Sequence, residues 1–457
     1  MTTDRPPQSL FPDAARLGLL TDLYELTMAA GYYAHGLADR RATFELWVRR
    51  LPACRNFLVA AGLEQAVQYL QDLSFAPEQI DYLRHHPAFR AVPADWFDRL
   101  ADFRFTGDLW AVPEGTVVFP GEPLLRIAAP LAEAQVIETY LITTLTVQTV
   151  VASKAARTAV AAGGRPVFDF GSRRAHGPQA GLLAARAAYI GGCVGTSNAE
   201  AGRLLNVPTL GTQAHAWIMS FDDEAEAFRK FAEVFPDAST LLIDTYDTVR
   251  GVRRALESGA AMQAVRIDSG DLAVLSREVR AVLDAAGRTD VKIVASGDLN
   301  EYKIHDLLKA GAPIDVFGVG TEMAVSRDDP ALSAVYKLVE LETDRGPVGR
   351  IKRSEGKATY PYAKQVYRRA GADGVFRGDV VAREAEPCDG EPLLTPVLRQ
   401  GRLIEPLPAV EESRTRCRRQ LDRLPPELLR LEAVPAYPVR MSQGLEAALH
   451  SLTDAAF

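Results

Sequence analysis

Cysteine, histidine and basic charge are all scarce in this chain. Four cysteines and seven histidines occur in 457 residues. Cys54, Cys193, Cys388 and Cys417 lie far apart with no C-x-x-C spacing, which excludes a zinc knuckle and a disulfide framework and suits a reducing, cytoplasmic setting. Fifty-two Lys and Arg stand against 59 Asp and Glu, a net charge of −7. That balance excludes the broad cationic surface of a non-specific nucleic-acid or membrane-surface binder, so any anionic ligand must be met by local clusters. No apolar run approaches the ~18 residues of a membrane span. The opening "MTTDRPPQSLFPDAARLGLL" has acidic residues and prolines where a secretory leader needs a basic start and an apolar core. There is no G-x-x-x-x-G-K-[ST] and hence no P-loop.

What is present is ordinary material for a sizeable buried core: 47% hydrophobic and 24% charged residues, enough for two or three domains. The texture divides the chain into three parts. Residues 1–130 mix helical and strand patterns, from "TDLYELTMAAGYYAHG" through "RATFELWVRRLP" to the Gly- and Pro-punctuated "FRFTGDLWAVPEGTVVFPGEPLLRIAAP", as in a small α+β region. Residues 131–340 open with a long helical stretch, about 131 to 162. Short apolar runs with polar or glycine-rich tips follow: "RPVFDFGSRRAHG", "VPTLGTQAH", "TLLIDTYDT", "AVRIDSGDL", "VKIVASGDL" and "DVFGVGTEM". Helical segments such as "DEAEAFRKFAEVF" lie between them. This alternation predicts parallel β/α units closing into a barrel, with the tips converging on one face. Residues 341–457 are strand-like, charged and proline-containing, an appended region.

The tips carry the chemistry. Small residues at Ser296-Gly297 and Gly318 to Thr321, including Gly320, let backbone N–H groups approach an anion, in a position where β/α barrels hold phosphate. One Gly-x-Gly alone is as compatible with a tight turn, whereas two in adjacent strand positions favour phosphate. Arg173 and Arg174 follow Phe170 just beyond a strand; guanidiniums bind phosphate or carboxylate, and a neighbouring ring stacks on a flat ligand. The alternative is a solvated basic turn. Arg266 and Asp268 share strand spacing in "VRIDSGDL", with Asp271 on the following turn. A charged Arg in an apolar strand needs a partner, so either a ligand contact or an Arg266–Asp salt bridge is expected. His215, in "GTQAHAWIMSF", has no His or Cys at ligand spacing and no serine elbow beside it. A hydrogen-bonded core residue, a base and a nucleophile all stay open on these residues alone. His85-His86 read as an exposed helix end.

The motifs "LLTDLYELTMAAGYY", "FELWVRRLP" with "NFLVAAGLEQAV", "GSRRAHGP", "GGCVGTSNAEAG", "GTQAHAWIMSF", "LLIDTYDT", "VRIDSGDL" and "FGVGTEM", in this order from about residue 18 onward, resemble those of the nicotinate phosphoribosyltransferase family. One departure is visible. The family usually has Pro-Gly before the late Lys-Gln, and here "TYPYAKQVYR" puts Tyr362 at the glycine position, which leaves the conformation of that turn open. The resemblance implies a type II phosphoribosyltransferase, an irregular β/α barrel joined to an α/β sandwich built from both chain ends, acting as a homodimer with composite sites. It implies transfer of phosphoribose from phosphoribosyl pyrophosphate to nicotinate, coupled to ATP hydrolysis through a phosphohistidine at His215, with Mg²⁺. It further implies that Phe170 and a partner subunit's Tyr24 sandwich the ring. Arg266 and Thr212 would read the carboxylate and Asp268 the ribose, Ser296, Gly297, Gly318, Gly320 and Thr321 would hold the 5-phosphate, and Arg173 with Arg174 would face phosphate or pyrophosphate. Sister enzymes acting on nicotinamide or quinolinate, or a non-catalytic sensor of the same fold, are the alternatives.

Overall fold

Continuous apolar runs of three residues, such as Leu241 to Ile243 and Ile293 to Ala295, suit strands buried on both faces, which is where parallel strands sit. In the computed structural model, which describes residues 14–352 and 359–454, they form a six-stranded parallel sheet. Its spatial order is Gly195–Thr196, Val167–Asp169, Val316–Val319, Lys292–Ala295, Ala264–Ile267, Thr240–Leu242. The loops leaving these strands end in short polar residues that cap the next helix. Asp247 accepts from Arg250 N–H at 2.7 Å, Asp271 from Ala273 and Val274 at 3.0 and 3.1 Å, and Asn300 from Lys303 at 3.0 Å. Such caps satisfy helix-start donors and hold each strand tip at the carboxyl edge of the sheet. Asp271 is therefore a cap.

One expectation is corrected here. The strand foreseen in "VPTLGTQAH" is a single parallel bridge, Thr196 to Thr209, because Pro208 has no N–H and its carbonyl and Leu210 N–H complete the pairing with Thr196 at 3.0 Å each. The irregular β/α barrel is present as a curled parallel half-barrel, and among the described residues no ladder joins its two edge strands. At the edge strand Thr240–Leu242, Leu242 N–H donates to the side chain of Gln213 at 3.2 Å, and Gln213 follows the segment bridged to the opposite edge. A side chain thus spans the seam.

The second body is antiparallel. Its seven strands run in the order Gly346–Gly349, Ala334–Thr343, Arg41–Val48, Pro123–Pro130, Asp108–Ala111, Thr395–Arg399, Arg402–Leu403, so early and late parts of the chain interleave in one sheet. The strand Ala334–Thr343 already belongs to it. A four-stranded sheet, ordered Glu391–Pro392, Lys364–Ala370, Phe376–Arg383, Val439–Met441, adds to it. The long helical stretch is two helices, Leu131–Val136 and Glu138–Ala161. The second joins the two hydrophobic cores: Leu141 and Leu145 pack with Phe44, Leu46 and Ile127 of the antiparallel body, and Ala152, Ala155 and Ala156 with Ile190, Ile293 and Phe317 of the parallel one. The turn left open by Tyr362 is left-handed at that residue, with φ +65°.

Among the described residues no helix is long and apolar enough to cross a membrane, and the four cysteines are unpaired. His85 ends the Pro77–His85 helix, exposed and paired with Asp81.

Candidate active site

The carboxyl edge of the parallel sheet surrounds a cavity of ≈ 470 Å³. Phe170, Arg173, Arg174, Thr212, Arg266, Asp268, Ser296, Gly297, Gly318, Gly320 and Thr321 line it. His215 stands beside the lining residue Ala214, its Nε2 3.9 Å from Asp268 Oδ2. Tyr24 is elsewhere: it lies on the Leu23–Ala34 helix of the antiparallel body, 46% exposed beside Leu20, Leu23 and Met28, and does not line the cavity of its own chain. Partial burial and the carboxylates of Glu138 and Glu25 push its phenol pKa up.

Arg266 comes from the third residue of the strand Ala264–Ile267. Its Nη1 donates to Thr212 Oγ1, and its Nε is buried without a hydrogen bond. No carboxylate among the described residues forms an ion pair with it, so the salt bridge considered from sequence is not formed. Burial lowers its pKa, and Asp268 and Asp244 act in the opposite sense. The guanidinium remains a cation, since its ordinary value lies far above neutral. Asp268 accepts a hydrogen bond from the Ser296 hydroxyl, so that hydroxyl holds a carboxylate. Asp268 N–H in turn donates to Asp244 Oδ2 at 2.9 Å, and Ser269 Oγ donates to the same oxygen at 2.6 Å.

The glycines have a second purpose beside exposing N–H groups. A Cβ on Gly318 would lie 2.4 Å from two Phe170 ring carbons, so the missing side chain is what lets the ring lie over the neighbouring strand. Gly297 has φ +93°, and a Cβ there would meet the Asp268 carbonyl oxygen at 2.0 Å. Both substitutions would move the cavity wall. Phe170 N–H donates to Val319 O at 2.8 Å, which extends the strand pairing to the ring itself.

Several contributors were not anticipated. Asp169 is fully buried, accepting from Gly171 N–H at 2.8 Å and Thr196 Oγ1 at 2.7 Å; burial raises its pKa while those bonds oppose it. It shapes the turn that carries Arg173 and Arg174. Asp244 Oδ1 is buried with no hydrogen-bond partner, and Thr245 Oγ1 lies 3.1 Å from His215 Nδ1. The available signal was the aspartate ending three of the apolar runs, in "VFDF", "LLID" and "VRID".

The profile described as the nicotinate phosphoribosyltransferase (NAPRTase) family matches residues 166–351, with that family's N-terminal domain over 19–146 and C-terminal domain over 382–449. The pncB2 nicotinate phosphoribosyltransferase of Mycobacterium tuberculosis is 45% identical over 445 residues, 96% of this chain and 94% of that one. This chain belongs to the nicotinate phosphoribosyltransferase family. A human family member is 33% identical over 99% of both chains. The crystal structure of human nicotinic acid phosphoribosyltransferase superposes with a TM-score of 0.84 at 31% identity, covering 95% of this chain and all of that one. The nicotinate-nucleotide pyrophosphorylase of Pyrococcus furiosus superposes at 0.73 with 25% identity, covering 92% and 99%.

Proposed function

We infer that this nicotinate phosphoribosyltransferase family member joins nicotinate to phosphoribosyl pyrophosphate, giving nicotinate mononucleotide and pyrophosphate in NAD biosynthesis. One observation carries the reading: the half-buried guanidinium of Arg266, whose Nε is buried without a hydrogen bond and which otherwise meets a threonine hydroxyl, lines the same cavity as the Phe170 ring. An aromatic carboxylate satisfies both, the ring by stacking and the guanidinium by a charge-assisted hydrogen bond. The pyridine nitrogen attacks C1 of the ribose with its own lone pair as the C1–oxygen bond to pyrophosphate breaks, so no protein base is needed. The protein's work is orientation and charge stabilisation. The loops at Ser296-Gly297 and Gly318 to Thr321 hold the 5-phosphate, Arg173 and Arg174 meet the leaving group, and Asp268 faces the ribose.

Magnesium ordinarily takes one or two protein carboxylates together with phosphate oxygens. Asp268 and Asp244, the latter with an oxygen lacking a hydrogen bond, suit that demand. Among the described residues no group of three His, Cys, Asp or Glu is placed to hold a metal by itself. When bound, the ion supplies neutralisation of the departing pyrophosphate.

His215 is the proposed phosphoryl acceptor from ATP. Thr245 engages Nδ1, which leaves Nε2 to take the γ-phosphoryl as its bond to ADP breaks; water later cleaves the N–P bond, and that hydrolysis is tied to product release. The side chain is 41% exposed and so reachable. The protein works as a homodimer in which a second copy covers the exposed face at Leu20, Leu23, Tyr24 and Met28 and brings the partner's Tyr24 to the nicotinate ring.

The test is product formation from nicotinate, nicotinamide or quinolinate with phosphoribosyl pyrophosphate, with and without ATP. Nicotinate should be preferred tenfold or more over nicotinamide, because a hydrogen bond to a charged group contributes about 1.5–3 kcal/mol. Equal efficiency on the two, or preference for quinolinate with Arg173 and Arg174 taking its second carboxylate, would overturn the assignment. His215→Asn should lose acid-labile labelling from γ-³²P-ATP and ATP stimulation while keeping slow transfer. Undiminished labelling would place the acceptor elsewhere.

A further inference from the structure

Lys154 has no part in the chemistry above and does not line the cavity, yet its ammonium sits only 1% exposed on the Glu138–Ala161 helix. Burying an ammonium costs several kcal/mol unless carboxylates compensate, so its partners are informative. Nζ donates to Glu301 Oε1 at 3.1 Å and lies 2.9 Å from Oε2, at an angle that leaves Oε2 without a hydrogen bond. It is 3.0 Å from Asp328 Oδ1 and 4.0 Å from Glu322 Oε2.

These carboxylates occupy particular places. Glu301 is the first residue of the helix Glu301–Lys309, which follows the loop at Ser296-Gly297. Glu322 is the second residue of the helix Thr321–Ala324, which follows Gly318 to Gly320. Asp328 comes just after that second helix. One ammonium therefore meets both chain segments that leave the phosphate loops. The backbone ties these loops together only thinly: the strands Lys292–Ala295 and Val316–Val319 share two register pairs, Val294 with Val316 and Ala295 with Phe317.

Arg55 pairs with Asp328 at 2.9 Å, and Arg157 Nε with Glu301 at 3.3 Å, so three buried cations, Lys154, Arg55 and Arg157, meet Glu301, Glu322 and Asp328, and the exposed Arg327 adds a fourth from the surface, 3.3 Å from Glu322. Partial burial raises the pKa of Asp328, but Arg55 and Lys154 outweigh it and hold the carboxyl at about 2, so its charge persists at neutral pH. Removing Lys154 alone would leave Glu301, 0% exposed, short of its nearest cation.

We propose that Lys154 is a positioning residue for the phosphoribosyl donor: by bridging Glu301, Glu322 and Asp328 it fixes the spacing of the two loops that hold the 5-phosphate. This rests on the reading of those loops given above. Misplacement of a substrate-positioning group by about 1 Å can cost on the order of a hundredfold, so loosening the clamp acts on the donor more than on the nicotinate carboxylate, whose partner Arg266 stands on the separate strand Ala264–Ile267.

The experiment compares Lys154→Met, Lys154→Arg and the double variant Lys154→Met/Glu301→Gln, the last removing one cation and one anion together so that the net charge of the cluster is unchanged and the protein folds even if the single Met variant does not. Steady-state kinetics with each substrate varied should show KM for phosphoribosyl pyrophosphate raised about tenfold or more in the double variant, KM for nicotinate within about twofold, and Lys154→Arg in between. Calorimetric titration with phosphoribosyl pyrophosphate should show the same loss. A double variant with an unaltered donor KM, or with both KM values raised equally, overturns the inference while normal turnover by the unaltered protein upholds the reading of the reaction. No turnover by the unaltered protein overturns both.

Discussion

In the antiparallel body and along its border with the parallel one, buried cations are closed off by carboxylates. Arg368 pairs with Asp379 at 2.6 Å, Lys364 with Glu45 at 2.8 Å, and Arg186 with Glu114 at 2.7 Å and Glu64 at 2.5 Å. In the cavity of the parallel sheet, Arg266 has a threonine hydroxyl and an unbonded Nε, Asp244 keeps an oxygen without a partner, and Arg173 and Arg174 are exposed. The first arrangement is what a fold does with a charge it must bury, because an uncompensated one is costly. The second stays incomplete until something enters. Pairing, more than burial, separates the charges that hold this protein together from those that await a ligand.

The largest effect should come from the closed side. Arg186→Met leaves Glu114, fully buried and accepting from Gly62 and Leu63 N–H, without its cation. Breaking such a pair costs about 3–5 kcal/mol, to be read as a lowered denaturant midpoint, with Arg186→Met/Glu114→Gln recovering part of it. Arg266→Met is the counterpart on the open side. It should reduce kcat/KM for nicotinate roughly ten- to a hundredfold, the equivalent of about 1.5–3 kcal/mol, and leave the midpoint unchanged or raised, since an imperfectly paired cation is replaced by an apolar chain of similar length. A stability loss as large as that of Arg186→Met would break the contrast.

How far the sequence carried this distinction varies by residue. Asp268 and the two glycine loops stood out because each follows a strand pattern, and strand ends in parallel sheets are where tips converge, while Arg266 stood out as a charge inside an apolar strand. Asp169 and Asp244 did not, because a buried aspartate at the end of a strand pattern carries no periodicity of its own. Gly195–Thr196 is two residues long, too short for any pattern. "VPTL" has the pattern of a strand but Pro208 removes a donor the ladder needs. The interleaving of early and late strands in one antiparallel sheet was expected only from family resemblance. Local patterns do not encode pairings such as Phe44 with Leu338. Arg266 itself was legible as a group needing a partner, whereas the absence of a protein carboxylate was visible only in three dimensions.

A smaller effect sharpens the contrast from a surface position. Tyr24 is exposed with Leu20, Leu23 and Met28, and if the partner's Tyr24 completes the ring-binding site, Tyr24→Ala should raise KM for nicotinate about two- to tenfold, the range of an aromatic pair worth about 0.5–1.5 kcal/mol, with the denaturation midpoint nearly unchanged. Mixed dimers of Tyr24→Ala and His215→Ala subunits should regain at most one complete site. No recovery in a mixed dimer shown to form would rule out the shared site.

The smallest effect is expected at Tyr362, which the resemblance sets at a glycine position and which does not line the cavity. A left-handed backbone costs a side-chain-bearing residue about 1–2 kcal/mol, so Tyr362→Gly relieves strain. The ring, however, has contacts that glycine forfeits. Arg383 lies 4.3 Å from its centroid, an interaction worth about 0.5–1 kcal/mol at an exposed site, and the ring edge packs so closely on Gly349 that a Cβ there would be 2.9 Å from Tyr362 Cε2. The turn itself is held independently of the side chain: Tyr362 N–H donates to Val339 O at 2.8 Å, and Lys364 Nζ donates to the carbonyls of Tyr360 and Tyr362 at 2.9 Å each. Glycine also adds freedom to the unfolded chain, at about 0.4–1 kcal/mol. Relief of strain and these losses nearly cancel, so Tyr362→Gly should change stability by less than about 1 kcal/mol by denaturant titration and leave both KM values where they are. A fall in kcat/KM without a change in stability would mean that this turn reaches a substrate, and would place Tyr362 among the open groups of the cavity instead of the closed ones of the antiparallel body.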